Sequence, residues 1–288
     1  MGQPARCTAR RRRLGAELRT LREAAGISPE EAARAIHGDR SKISRQETGR
    51  HRVTRLELDA LLDLYRAEDG KLRHWLIALA SEGGKRSWWR QHGEILRDGF
   101  KELLTLESDA ARIATFQTQV VPGLLQTREY ATAVLAGSSE QLSKEKLQFY
   151  VDFRMKRQSI FEQESPPHYL CIMSEGVLHQ QVGGRRVMAE QLRHLIDVSQ
   201  PPDMTIQVIP FSQSAFTSTG GSFALYSYPD PLDFDVVQVA YLDGVLYLEE
   251  HETATKYRKV LDGLRASALS AQQSIELIAS IARDLEHE

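Results

Sequence analysis

Within its first 66 residues the chain carries so many helix start and stop signals that only short helices fit between them. Ser28-Pro29-Glu30-Glu31 combines an N-cap serine, proline at the first helical position and glutamate three residues after the cap. A start so defined leaves the chain little choice of register. Upstream, Leu14, Leu18, Leu21 and Ala25 recur at three or four residues before Gly26, which predicts an amphipathic helix over 12–25. Downstream, the Ser28-capped helix runs to Ile36, and His37-Gly38 breaks it. Asp39 caps a short helix over 40–48 that Gly49 ends, and Thr54 with Glu57 forms a second capping box. That box opens a fourth helix, with Leu56, Leu61, Leu62 and Leu64 expected to face inward. A fifth helix, over 71–80, completes a small bundle.

Charge separates this head from the rest. Residues 1–66 hold fifteen Lys and Arg against nine Asp and Glu, a net of +6, while the remainder holds 22 against 30, a net of −8, within an overall −2. A basic head on an acidic body points to a polyanionic partner for the head. Two consecutive helices joined by about three residues match a helix-turn-helix. Ala33 is the small residue at the helix crossing, and Ile36 and Ile43 lie beneath the turn. The side of the third helix left for solvent is then Arg40, Ser41, Lys42, Ser44 and Arg45. Short hydroxyls fit close to a groove, and long cations bond guanine edges or phosphates. Ser28, Arg50 and Arg52 join them as expected DNA contacts, with His51 and Arg55 beside the backbone. The Arg10–Arg13 run fits either an arm laid in a minor groove or a solvated end.

The segments L-R-T-L-R-E-A-A-G-I-S-P-E-E-A-A-R-A-I and K-I-S-R-Q-E-T-G-R resemble the XRE, or lambda-repressor-like, regulators. The resemblance implies a structural ion pair between Arg22 and Glu47. His37 stands where that family commonly has glycine and Gln46 where an apolar residue is common, so Gly38 is expected to take the left-handed turn conformation.

The expected organisation is a helix-turn-helix DNA-binding domain over 1–80, a helical linker over 81–105 and an α+β regulatory or partner-binding domain over 106–288. In the last, a helix is predicted near 106–117, then the Pro122-Gly123 turn, a helix capped by Thr127 and a longer helix over 143–163. β-rich runs follow at 169–173, 205–209, 223–228 and 236–241, with a helix over 187–198 between the first two. Strand, helix, strand within about 40 residues implies one parallel crossover. Asp243-Gly244 marks a hairpin, and two helices close the chain, the second capped by Ser270 with Gln273. The fold class is therefore a mainly α helix-turn-helix domain followed by an α+β domain with a small mixed sheet and C-terminal helices.

V-P-G-L-L-Q-T-x-E-Y-A, R-x-x-R-Q, V-G-G-x-x-V-M-x-x-Q-L and I-Q-V-I-P-F are similar to the C-terminal domain of WhiJ-like regulators. That resemblance implies an antitoxin-like transcriptional regulator whose C-terminal domain engages a small protein encoded nearby.

Other chemistry has weaker footing. Glu249-Glu250-His251-Glu252 at a strand end places neighbours on opposite faces, so no metal site is expected. Phosphate-loop, nucleophile-elbow and zinc-protease motifs do not occur, and no catalytic residue or cofactor is expected. Glu175 and His179 fit a surface or capping pair better than acid–base work. Trp88-Trp89 suit either a ligand pocket or packing. Arg154, Arg157 and Gln158 suit either an acidic partner or internal pairing. Cys7 and Cys171 are expected to be reduced thiols, and the absence of a signal segment or membrane-length apolar run points to the cytoplasm. The leading expectation is a dimeric, sequence-specific regulator bound to double-stranded DNA. The alternatives are an antitoxin-like protein binder that mainly represses its own gene, and an enzyme fused to a DNA-binding head.

Overall fold

The computed structural model describes residues 8–81, 98–137, 142–200, 202–213, 220–228, 234–242 and 244–287. They fall into two compact units, Met1–Asp109 with Tyr228–Val236, and Ala110–Ser227 with Val237–Glu288.

The first unit is helical: α1 (Ala9–Ala24), α2 (Pro29–Ala35), α3 (Arg40–Glu47), α4 (Arg55–Leu64), α5 (Gly70–Ala80) and α6 (Asp98–Asp109). The starts follow local side-chain chemistry. Glu31 N donates to Ser28 Oγ at 3.2 Å, and Ser28 N to Glu31 Oε2 at 2.8 Å. Thr54 and Glu57 repeat that reciprocal box, while Asp39 accepts from Lys42 N at 2.6 Å. Each cap satisfies backbone donors that a helix start leaves without partners. Leu14, Leu18, Ala33, Ile36, Ile43, Leu58, Leu61, Leu62 and Leu76 are buried in this unit. Leu56, expected to face inward, is instead 84% exposed, and Leu58 is buried in its place. Counted from the Thr54 cap, the buried positions are 58, 61, 62 and 65, a stripe at helical spacing that leaves Leu56 on the other side.

The turn between α2 and α3 also differs from expectation. The left-handed residue is His37 at φ 50°, not Gly38. The helix ends on Ile36, Gly38 N donates to Ala33 O at 2.8 Å and His37 N to Arg34 O at 3.2 Å. That two-bond closure places the left-handed residue immediately after the C-cap, whatever the sequence there. A side chain at positive φ is strained by about 1–2 kcal/mol, and glycine gives back about 0.5–1 kcal/mol of it in chain entropy. His37→Gly is expected to raise stability by up to about 1 kcal/mol, whereas His37→Val lowers it, as read by urea denaturation.

The second unit holds β1 (Arg112–Gln117), α7 (Arg128–Ala136), α8 (Lys144–Arg157), β2 (His168–Ser174), α9 (Gly176–His179), α10 (Arg185–Val198), β3 (Met204–Ile209), β4 (Phe223–Ser227), β5 (Asp235–Tyr241), β6 (Gly244–Leu248), α11 (His251–Ser267) and α12 (Ala271–His287). The six strands form one mixed sheet in the order β3-β2-β1-β4-β5-β6. β2 is parallel to β1 and to β3, β4 is antiparallel to β1, and β5 and β6 form an antiparallel hairpin. Tyr241 pairs with Gly244 across the hairpin end, and Asp243 lies outside the described residues.

The expected helix near 106–117 is wrong in its second half. Residues 112–117 are a strand, and it lies inside the sheet with Ile113 opposite Tyr169 on one side and Tyr226 on the other. Strand preference depends on such neighbours more than on the segment itself. On one face, Phe116, Ile172, Phe223, Leu225 and Val237 pack with Ala254, Leu261 and Leu264 of α11. The β3 edge is covered by the corner between α11 and α12, where Val208 N donates to Ser274 Oγ at 3.0 Å and Leu269 N to Val208 O at 2.9 Å.

Candidate nucleic-acid interface

A short helix can read DNA only if it is rigidly held and its outer side is free. α3 meets the first condition through an unusually close approach to α1. A Cβ on Gly15 would lie 2.5 Å from the carbonyl oxygens of Gln46 and Glu47. Beside this crossing Arg22 Nε donates to Glu47 Oε1 at 2.6 Å and Nη2 to Oε2 at 3.1 Å, while Nη1 donates to Ile27 O at 3.0 Å. The fork thus ties the end of α3 to α1 and to the turn before α2. Tyr65 is buried close by, and burial together with the Glu47 charge raises its phenol pKa.

The outer side of α3 is cationic and hydroxylic. Arg40, Ser41, Ser44 and Arg45 are exposed, as are Arg50, His51, Arg52 and Arg55 after the helix. Arg45 Nη1 donates to Ser41 Oγ at 2.6 Å, so its guanidinium is oriented by a hydroxyl and meets no carboxylate among the described contacts. Arg40 is 3.1 Å from Glu30 across the turn. Lys42 is half-buried, with Nζ 2.5 Å from Glu57 Oε1, and Ser28 Oγ is engaged with Glu31 in the cap. Arg45, Arg40 and the loop arginines therefore make the outward face, whereas Lys42 and Ser28 serve α4 and α2.

Glu57 was visible in the sequence only as a cap. It also pairs with Lys42 and accepts from Gln46 Nε2 at 3.1 Å, which explains a buried glutamine at an ordinarily apolar position. Burial pushes the Glu57 carboxyl pKa up, but Lys42 and the Thr54 backbone outweigh it and hold it below the ordinary value. Glu102 and Asp109 were missed altogether. They meet Arg12 and Arg10, whose run forms the opening turn of α1, neither an extended arm nor a loose end.

The C-terminal candidates do internal work. Arg154 Nη1 donates to Gln126 Oε1 at 2.7 Å, and Gln158 Nε2 donates to Gln126 O at 2.7 Å and Gly123 O at 3.4 Å. Arg157 is buried, with Nη1 3.5 Å from where a Cβ on Gly123 would lie. Burial and the neighbouring Arg157 charge push the Arg154 pKa down to about 10. These residues hold the 122–127 turn against α8. Trp88 and Trp89 lie outside the described residues. Glu175 receives Phe211 N at 2.6 Å as well as approaching His179 Nε2 at 3.3 Å, a loop-fixing arrangement. Among the described residues no helix is long and apolar enough to cross a membrane, and no group of three or more His, Cys, Asp or Glu is placed to hold a metal ion.

A family model described as a helix-turn-helix domain matches residues 13–76, which span α1 to α5 apart from their outer ends. A second, described as a domain of unknown function (DUF5753), matches residues 100–280, more than half of the chain. The chain belongs to that family. No curated protein and no solved structure matches the chain. The DUF5753 region begins inside α6 and contains the whole six-stranded sheet, with the helix-turn-helix domain preceding it.

Proposed function

We propose that this DUF5753 protein is a sequence-specific transcriptional regulator of the XRE, WhiJ-like and antitoxin-like type, acting in the cytoplasm as a homodimer on double-stranded DNA. The observation that carries the reading is the exposed face of α3, where Arg40, Ser41, Ser44 and Arg45 stand clear of the core on a helix fixed by the Arg22–Glu47 fork. The activity is binding, with no catalytic step. The C-terminal domain engages a small protein encoded nearby or a small effector. Exposed Tyr241, Leu242 and Leu246 at the β5–β6 hairpin support a protein-facing role for that domain.

Binding of the full chain to its own upstream DNA and to a scrambled duplex, across a salt series, tests the reading. The expected result is tighter binding to the upstream DNA, with log affinity falling by about 0.9 per phosphate contact for each unit of log salt. Equal, weak binding to both duplexes would sink it. Arg45→Ala is expected to lower affinity for the upstream DNA by about 1–3 kcal/mol, roughly five- to 150-fold, with unchanged helical content. Undiminished binding by that variant would remove α3 from the interface. Adding the neighbouring protein should shift the DNA affinity if the two sites are coupled.

A further inference from the structure

Two of the arginines that open α1, Arg10 and Arg12, meet carboxylates of one helix, α6. Arg12 Nη1 donates to Glu102 Oε2 at 3.3 Å, and Nη2 makes the parallel bond to Oε1. Glu102 is only 4% exposed. Two helical turns further along α6, Asp109 lies 3.4 Å from Arg10 Nε, and Arg10 Nη1 donates to Ser81 O at 3.1 Å. Seven residues separate the two carboxylates, so both lie on one side of α6.

Those arginines border the cationic face. Gly49, which ends α3, sits so close to α1 that a Cβ there would be 2.8 Å from Arg12 N and 2.9 Å from Arg11 C. The residues after Gly49 are the exposed Arg50, His51 and Arg52. The run therefore lies next to the loop that would follow a DNA backbone, yet Arg10 and Arg12 are spent on carboxylates of α6, while Arg13 pairs with Glu17 within α1 at 2.9 Å. The arrangement also leaves the buried Nε groups of Arg10 and Arg13 without a hydrogen bond, Arg10 Nε facing Asp109 only at ion-pair distance. Phosphate oxygens are strong acceptors and would satisfy donors that this arrangement does not.

We propose that Glu102 and Asp109 of α6 form an electrostatic latch that withholds Arg10 and Arg12 from DNA phosphates, so that releasing α6 raises affinity for duplex DNA. The proposal rests on the DNA-binding reading. α6 is joined to β1 by only Ala110 and Ala111, which makes the latch a covalent neighbour of the DUF5753 sheet. An event that moves β1 is transmitted to α6 through two residues, and so to the charge available at the DNA face.

The test uses the full chain, its upstream duplex and a scrambled duplex, from about 50 to 300 mM salt, with helical content followed by circular dichroism. Glu102→Gln/Asp109→Asn is expected to bind both duplexes roughly tenfold tighter at low salt, with a salt slope steeper by about 1–2. Arg12→Ala added to the double variant, where Glu102 no longer carries a charge to be left unpaired, is expected to cancel part of the gain, a coupling that a purely structural pair would not show. Asp109→Asn alone, which leaves the buried Glu102 pair intact, is expected to give about half the change in slope and serves if the double variant does not fold. Unchanged affinity and slope in a folded variant would overturn the latch, and so would weaker binding. Arg45→Ala, run in parallel, separates the two readings. If it weakens binding while the α6 variants do nothing, only the latch fails; if no form of the chain binds either duplex, both fail.

Discussion

Gly15→Ala is expected to unfold the DNA-binding head or force α1 away from α3. The added Cβ would lie 2.5 Å from two carbonyl oxygens and 2.7 Å from the Glu47 carbonyl carbon, all backbone atoms of α3. A flexible side chain could swing aside, but a helix backbone moves only as a whole. Alanine favours an exposed helix interior over glycine by about 1 kcal/mol, and overpacking of this kind typically costs about 1–3 kcal/mol, occasionally more. With no room to relax, the clash wins, and a net loss of about 2–4 kcal/mol is a large part of the roughly 5–15 kcal/mol that holds a domain folded. Thermal and urea unfolding would read the loss directly, and upstream-DNA binding should disappear with it. A variant as stable as wild type would mean that α1 and α3 do not cross at Gly15.

Arg22→Ala is expected to be comparably damaging. The two side chains are 9% and 11% exposed, and removing one partner leaves the other charge nearly out of water. Breaking such a buried pair costs about 3–5 kcal/mol, although replacing both partners with apolar residues of similar size is often close to neutral. The double substitution Arg22→Met/Glu47→Leu should therefore recover most of what Arg22→Ala loses, apart from the bond that Arg22 donates to Ile27 O. A double-mutant cycle by urea denaturation measures this. Additive effects of the two single changes would show that the fork contributes nothing as a pair.

Much of the head was legible because its determinants are local. Ser28 with Glu31 and Thr54 with Glu57 act over three residues, so the chain carries both donor and acceptor of each cap within one turn. The Arg22–Glu47 pair spans 25 residues and came from a family likeness rather than from spacing. The turn glycine was misplaced by one residue. The pattern suggested a glycine where one was available, whereas the burial of Ile36 fixed where α2 ends and hence that His37 must take the left-handed conformation.

The C-terminal domain was legible as a set of elements but not as a sheet. Four β-rich runs and the crossover between the first two are readable, yet the pattern of β1, which pairs with strands on both sides, predicts helix. Its sequence R-I-A-T-F-Q has only a broken alternation, and Thr115 is buried because its hydroxyl reaches Phe223 O at 3.2 Å across the sheet. No residue within six positions of β1 supplies that partner.

By itself, the sequence determined where the capped helices of the head begin, that the first 66 residues are the basic part, and which side of α3 lacks apolar residues. Each depends on neighbours in the chain or on a sum of charges, and neither needs a fold to be evaluated. The tertiary structure decided which of those charges remain for a partner. Lys42 is drawn to Glu57, Arg40 to Glu30 and Arg12 to Glu102, while Arg45 meets only a hydroxyl among the contacts described. The reason is distance: a Coulomb interaction matters within a few ångströms, and what lies that close is set by packing between elements rather than by order along the chain.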